Sequence, residues 1–149
     1  MENPYKEVPT TNGRLRYHIR HGRNERAGNI RIAKYFVEKY GQEIDLLPVN
    51  VNGTSADAYN HTLGIEQEYK INHTPTQNAI NKELRSAQHQ ANNIVIEILS
   101  DISDSDLRDS IQDRVLRTPS IQSVTILRNG NDTTYRREQI IQSNFTLLQ

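Results

Sequence analysis

The sequence predicts an α/β fold, a mixed sheet covered by helices, on two observations. Short apolar or alternating runs such as Leu15 to Ile19, Glu43 to Leu47 and Ile94 to Leu99 read as strands, and between them apolar residues recur three and four apart, the period of a helix. The resulting order is helix, strand, strand, strand, helix, strand, with a further helix and hairpin appended. Alternation of that kind builds a sheet with helices packed on it.

Taken in order, residues 1 to 12 carry Pro4, Pro9 and Asn12 before Gly13 and read as an irregular lead-in. Leu15, Tyr17 and Ile19 alternate with Arg14, Arg16, His18 and Arg20, a period of two that predicts a half-buried strand. Asn24 is the expected cap of a helix that runs to about Tyr40 and stops at Gly41, with Ile32, Ala33, Phe36, Val37 and Tyr40 on its apolar face. Glu43 to Leu47 is a buried strand ending at Pro48. After a turn at Asn50 to Gly53, Ala56 to Tyr59 and Ile65 to Ile71 form a hairpin joined through His61 to Gly64. A second helix is expected over Thr76 to Asn92, striped by Ile80, Leu84, Ala87 and Ala91, with Ile94 to Leu99 following as a strand. A third covers Asp104 to Arg117, and strands at Val124 to Leu127 and Thr133 to Arg136 flank Gly130.

A chain of 149 residues falls in the size range of one domain and buries about two thirds of its unfolded surface. No internal repeat or low-complexity linker breaks it, so the reading is a lead-in and strand over 1–19, a domain over 20–138 and a tail over 139–149. Cysteine is absent, which excludes disulfides and thiolate zinc sites, so a metal must be held by carboxylate, imidazole, carbonyl or water. No stretch approaches the roughly 18 apolar residues of a membrane span, and Met1 to Pro9 lacks the apolar core of a signal peptide. A soluble protein acting in the cytoplasm is the expectation.

The net charge of zero argues against a protein that coats nucleic acid, since Lys and Arg supply most non-specific affinity. The charge is unevenly spread, however. Arg14, Arg16, Arg20, Arg23, Arg26 and Arg31 meet only Glu25, whereas Asp101, Asp104, Asp106, Asp109 and Asp113 are acidic. A basic surface that contacts phosphates is therefore open to the first segment, with Arg20 and Arg23 as candidates for substrate binding.

The hairpin carries the chemistry. Alternate side chains of a strand share a face, so Glu66, Glu68 and Lys70 point together, and folding at His61 to Gly64 brings Asp57 within reach of Glu68. Two converging carboxylates make a hard oxygen site for magnesium or manganese, with zinc a further candidate. A metal there lowers the pKa of bound water and polarises a phosphoryl oxygen, and Lys70 can offset the charge that develops.

Ser55-Ala56-Asp57 followed by Glu68-Tyr69-Lys70 resembles the PD-(D/E)xK nuclease pattern, with Ala56 in place of proline. Four segments also look like the C-terminal tRNA-nuclease domains of contact-dependent inhibition toxins and related mobile-element proteins: Asn29 to Lys34, Glu43 to Pro48, the hairpin, and Gln77 to Ile80 through Gln90 to Ile96. The resemblance covers roughly residues 20 to 138. It implies a restriction-endonuclease-like αβββαβ core and metal-dependent cleavage of RNA or DNA, often tRNA. It further implies delivery within a larger system, an immunity protein as partner, and an acidic residue from the first helix, best matched by Glu25. Asp57, Glu68, Lys70 and Glu25 are then the catalytic set, Asp57 and Glu68 the metal ligands, and Gln90 a contact to substrate or metal-bound water.

Each residue has a plainer alternative. Glu66, Glu68 and Lys70 can be the solvated face of an edge strand, Asp57 a turn residue, and Glu25 a complement to the helix dipole. Gln90 can be helix surface, and the arginines solvated faces. His18, His21, His61, His73 and His89 lack a zinc-ligand spacing and read as surface or hydrogen-bonding residues. No GxxxxGK[ST], GxGxxG or GxSxG motif occurs, and the aromatics do not pair as stacking platforms. The competing function is a non-catalytic structural or binding module, phage- or mobile-element-associated, that keeps the nuclease fold.

Overall fold

The computed structural model describes residues 3–50 and 55–148, so most of the expected turn at Asn50 to Gly53 lies outside the described residues. The chain divides into two compact units, Met1–Tyr69 and Lys70–Gln149. The element order contains the expected αβββαβ core and the appended helix and hairpin.

In the first unit β1 (Tyr5–Val8), β2 (Arg14–His18), β3 (Glu43–Leu46), β4 (Ala58–Asn60) and β5 (Ile65–Asn72) lie side by side in chain order, β5 running on into the second unit. β2 and β3 are parallel, as their connection through α1 (Arg23–Tyr40) requires, and the other neighbours are antiparallel. The lead-in is not irregular: Tyr5 to Val8 pair with His18 to Leu15 as an edge strand. Pro4 and Pro9 bound that strand rather than break it, a position proline tolerates at a sheet edge.

α1 begins at Arg23 with Gly22 at the cap position, two residues ahead of the expected Asn24. It ends where predicted, at Gly41, whose φ of 68° allows its amide to reach the Val37 carbonyl at 2.9 Å. Leu15, Ile32, Ala33, Val37, Ile44, Leu46 and Ala58 are almost fully buried and form the unit's core. Each large aliphatic chain among them contributes about 1.5–3 kcal/mol by leaving water.

The second unit holds the end of β5, α2 (Gln77–Ala87), β6 (Asn93–Ile98), α3 (Asp104–Arg117), β7 (Ser123–Arg128), β8 (Asn131–Arg136) and the short α4 (Arg137–Ile140). β6 and β7 are parallel across α3, and β7 and β8 form a hairpin. Its two turn residues, Asn129 and Gly130, have φ of 53° and 74°, the left-handed pair of a type I′ turn. Thr76 caps α2 by accepting from the Ala79 amide, and Ser103 caps α3 through Asp106. α2 stops at Ala87, short of the expected Asn92, and both Gln90 and Ala91 turn their amides back to the Ala87 carbonyl. Ala91 is buried without being helical, which is why its spacing passed for a continued stripe. Ile80, Leu84, Ile96, Leu107, Ile111, Val124 and Phe145 are among the residues of this unit's core. Among the described residues no helix is long and apolar enough to cross a membrane.

Candidate active site

β4 and β5 pair as Ala58↔Gln67, Tyr59↔Glu66 and Asn60↔Ile65, and the same register carried one step further sets Asp57 opposite Glu68. The contacts bear this out. The Asp57 amide donates to Glu68 Oε1 at 3.2 Å, and the Tyr69 amide donates to Asp57 Oδ2 at 2.9 Å. Asp57 is also tied to the neighbouring strand, because its carbonyl accepts from the Leu47 amide at 2.9 Å. The structure thus brings together the two carboxylates expected to hold a metal.

Like charges directly across a sheet are unfavourable, and burial sharpens the cost. Glu68 is buried. Burial chiefly pushes the Asp57 carboxyl above the ordinary carboxylate range; the Tyr69 amide and the hydrogen bond with Glu68 pull it back, and Glu25 adds to the rise. A cleft of about 300 Å³ lined by Leu47, Pro48, Asn50, Ser55, Ala56 and Glu66 opens beside Asp57 in the chain.

Glu25 lies exposed in the first turn of α1, within electrostatic reach of Asp57. Its carboxylate folds back over Gly22, where a Cβ would stand 2.6 Å from Oε2, so a side chain at position 22 displaces it. His21 was not singled out by the sequence. It is buried, with Nδ1 2.6 Å from the Leu47 carbonyl and Nε2 3.0 Å from Asn29 Nδ2. Since Asn29 donates there, Nδ1 carries the proton, and both ring nitrogens are engaged. The partners that fix it are eight and twenty-six residues away, a separation no local pattern reveals.

Arg20 and Arg23 are exposed on either side of His21. Lys70 follows Glu68 by two positions in β5 and opens the second unit, where its amine donates to Ser86 Oγ at 3.2 Å. Gln90 is half-buried in the second unit, past the end of α2 rather than on it.

Asp57 and Glu68 offer adjacent hard oxygens, a donor set that fits magnesium or manganese. Among the described residues no group of three or more His, Cys, Asp or Glu side chains is gathered to hold a metal. An ion at the pair would complete its shell with water and substrate phosphate, as magnesium commonly does with one or two protein carboxylates.

No family model matches the sequence, and no curated protein does. Among solved structures, the chain is similar to one in the CdiA-CT/CdiI toxin and immunity complex from Burkholderia pseudomallei, with 18% identity and a TM-score of 0.56. The match covers 76% of this chain and 85% of that one. At that identity the likeness is one of fold.

Proposed function

We propose that the chain is a metal-dependent nuclease domain of a toxin, cutting phosphodiester bonds in RNA or DNA, with tRNA the foremost candidate. The observation that carries this reading is the Asp57–Glu68 pair, two carboxylates set opposite each other on neighbouring strands and bridged by the Asp57 amide. The motif residues and the fold likeness to a chain of a toxin and immunity complex support it. The same likeness supports delivery by a larger system and an immunity protein as partner.

In this reading Asp57 and Glu68 hold the metal, whose chemistry is to activate water and polarise a phosphoryl oxygen. The Tyr69 amide fixes the Asp57 carboxylate. Lys70, two positions after Glu68, orients the attacking water and offsets charge on the phosphoryl oxygens. Glu25 supports the pair from the first helical turn, Arg20 and Arg23 contact phosphates, and Gln90 contacts substrate.

The test is cleavage of total tRNA and of single- and double-stranded DNA by the purified chain with magnesium, manganese or excess chelator. Chelator-sensitive cutting is expected. Glu68→Ala loses metal binding and cutting together, whereas Lys70→Ala keeps metal binding and slows cutting by about 10²-fold or more. Cutting that survives both chelator and Glu68→Ala contradicts the mechanism. A folded wild-type protein that cuts nothing under any metal is instead a non-catalytic module that keeps the fold.

A further inference from the structure

Asp57 shares its sheet face with a second constellation. The β3–β4 ladder continues at both ends of β4, through the Leu47 amide to the Asp57 carbonyl and the His61 amide to the Glu43 carbonyl, each a backbone hydrogen bond. Residues 57, 59 and 61 therefore alternate regularly and point to one side. His61 Nε2 lies 2.8 Å from Asp45 Oδ2, and Asp45 is itself held by Arg16 through bonds of 2.8 and 2.6 Å. Tyr5 covers the Arg16 guanidinium, 4.7 Å from its ring centre. Asp45 is buried and acts as an acceptor from Arg16, so Nε2 of His61 donates to it. Tyr59 meets His61 edge to face at 4.8 Å and 74°. His61 is exposed and Tyr59 half-exposed. No pair of Phe, Tyr or Trp marks this cluster in the sequence, because the ring partner of Tyr59 is a histidine.

We propose that Tyr59 and His61 form a stacking platform for an unpaired base of the nucleic acid, held rigid by the Asp45–Arg16 pair and set on the face of the candidate cutting site. Four residue steps, with β4 between, separate Asp57 from His61, about 13 Å at roughly 3.3 Å per step, a span of a few nucleotides. Base stacking needs an exposed ring plane and a fixed orientation, and it is indifferent to phosphate charge. The Arg16 charge is committed to Asp45, so the platform recognises bases through their faces. A duplex hides its bases, and the platform therefore selects single-stranded or loop segments. This rests on the nuclease reading for the substrate class.

Binding of the full chain to a labelled single-stranded oligoribonucleotide and to its duplex, by fluorescence anisotropy in excess chelator, separates the two ideas. The single strand should bind at least about tenfold more tightly, Tyr59→Ala should weaken it about tenfold, and Tyr59→Phe should retain it. His61→Ala, at an exposed position, gives the same loss should Tyr59→Ala fail to fold. Equal affinity for single strand and duplex, or unchanged binding in a folded Tyr59→Ala and in His61→Ala, overturns the platform. Binding of a protein partner at this face without any nucleic acid bound overturns it too. Ring-dependent single-strand binding without metal-dependent cutting leaves the platform standing and removes the nuclease; cutting unchanged by Tyr59→Ala does the reverse.

Discussion

Asp57 concentrates the conflict between stability and function in one side chain. Its folded-state pKa is raised, chiefly by burial, so the folded protein holds a proton at Asp57 that the unfolded chain releases. The sign follows: the cost is absent below the unfolded value near 3.8 and grows as pH rises through the raised folded value. Asp57→Asn keeps an acceptor for the Tyr69 amide and removes the charge. Its Tm should exceed that of the wild type at pH 7 and converge with it below about pH 4. Magnesium should raise the Tm of the wild type alone. Calorimetry at the two pH values checks this, and a destabilised Asp57→Asn at neutral pH would show that the carboxylate is structural. Asp57 and Glu68 were legible in the sequence because strand alternation and one short turn place them. His21 and the Asp45–His61 contact were not, because their partners come from other strands and helices.

At the scale of elements, helix and strand periods located α1, β3, the β4–β5 hairpin and α3. The misreadings fall where local chemistry points two ways: prolines bound β1 although they usually signal loops, and Ala91 continues the α2 stripe after the helix has ended. Glycines show how surroundings decide what the sequence leaves open. Gly13 and Gly130 have nearly equal φ, 62° and 74°. At Gly130 nothing lies within 4 Å of an added Cβ, whereas at Gly13 it would meet the Gln42 carbonyl oxygen at 2.3 Å. Gly130→Ala should therefore cost only the left-handed conformation, about 1–2 kcal/mol. Gly13→Ala adds a backbone clash at the β2–β3 junction and should cost about 3 kcal/mol or more. Urea denaturation of both variants measures the difference; equal costs would mean that the β2 approach yields freely.

For the whole molecule, zero net charge leaves little long-range pull toward a polyanion, so affinity for nucleic acid has to come from local placement. The exposed Arg20 and Arg23 flank His21 in the chain, while Arg16 is neutralised by Asp45 and Arg26 is turned inward to the Ile19 and His21 carbonyls. The six-arginine segment read from sequence thus splits by surroundings, with Arg16 and Arg26 engaged within the fold and Arg20 and Arg23 exposed. If Arg20 and Arg23 each contact a phosphate, every contact releases condensed counterions, and the logarithm of affinity falls with the logarithm of salt by roughly 0.7 per contact on a single strand. Arg20→Ala with Arg23→Ala should then flatten the slope by about 1.4 and weaken all sequences alike. Tyr59→Ala should lower affinity with the slope unchanged, since stacking releases no counterions. Anisotropy titrations from low to moderate salt in chelator distinguish the two. A slope unmoved by the double arginine variant returns those residues to solvated surface, and a slope changed by Tyr59→Ala would mean that the ring acts by arranging phosphate contacts instead of by stacking.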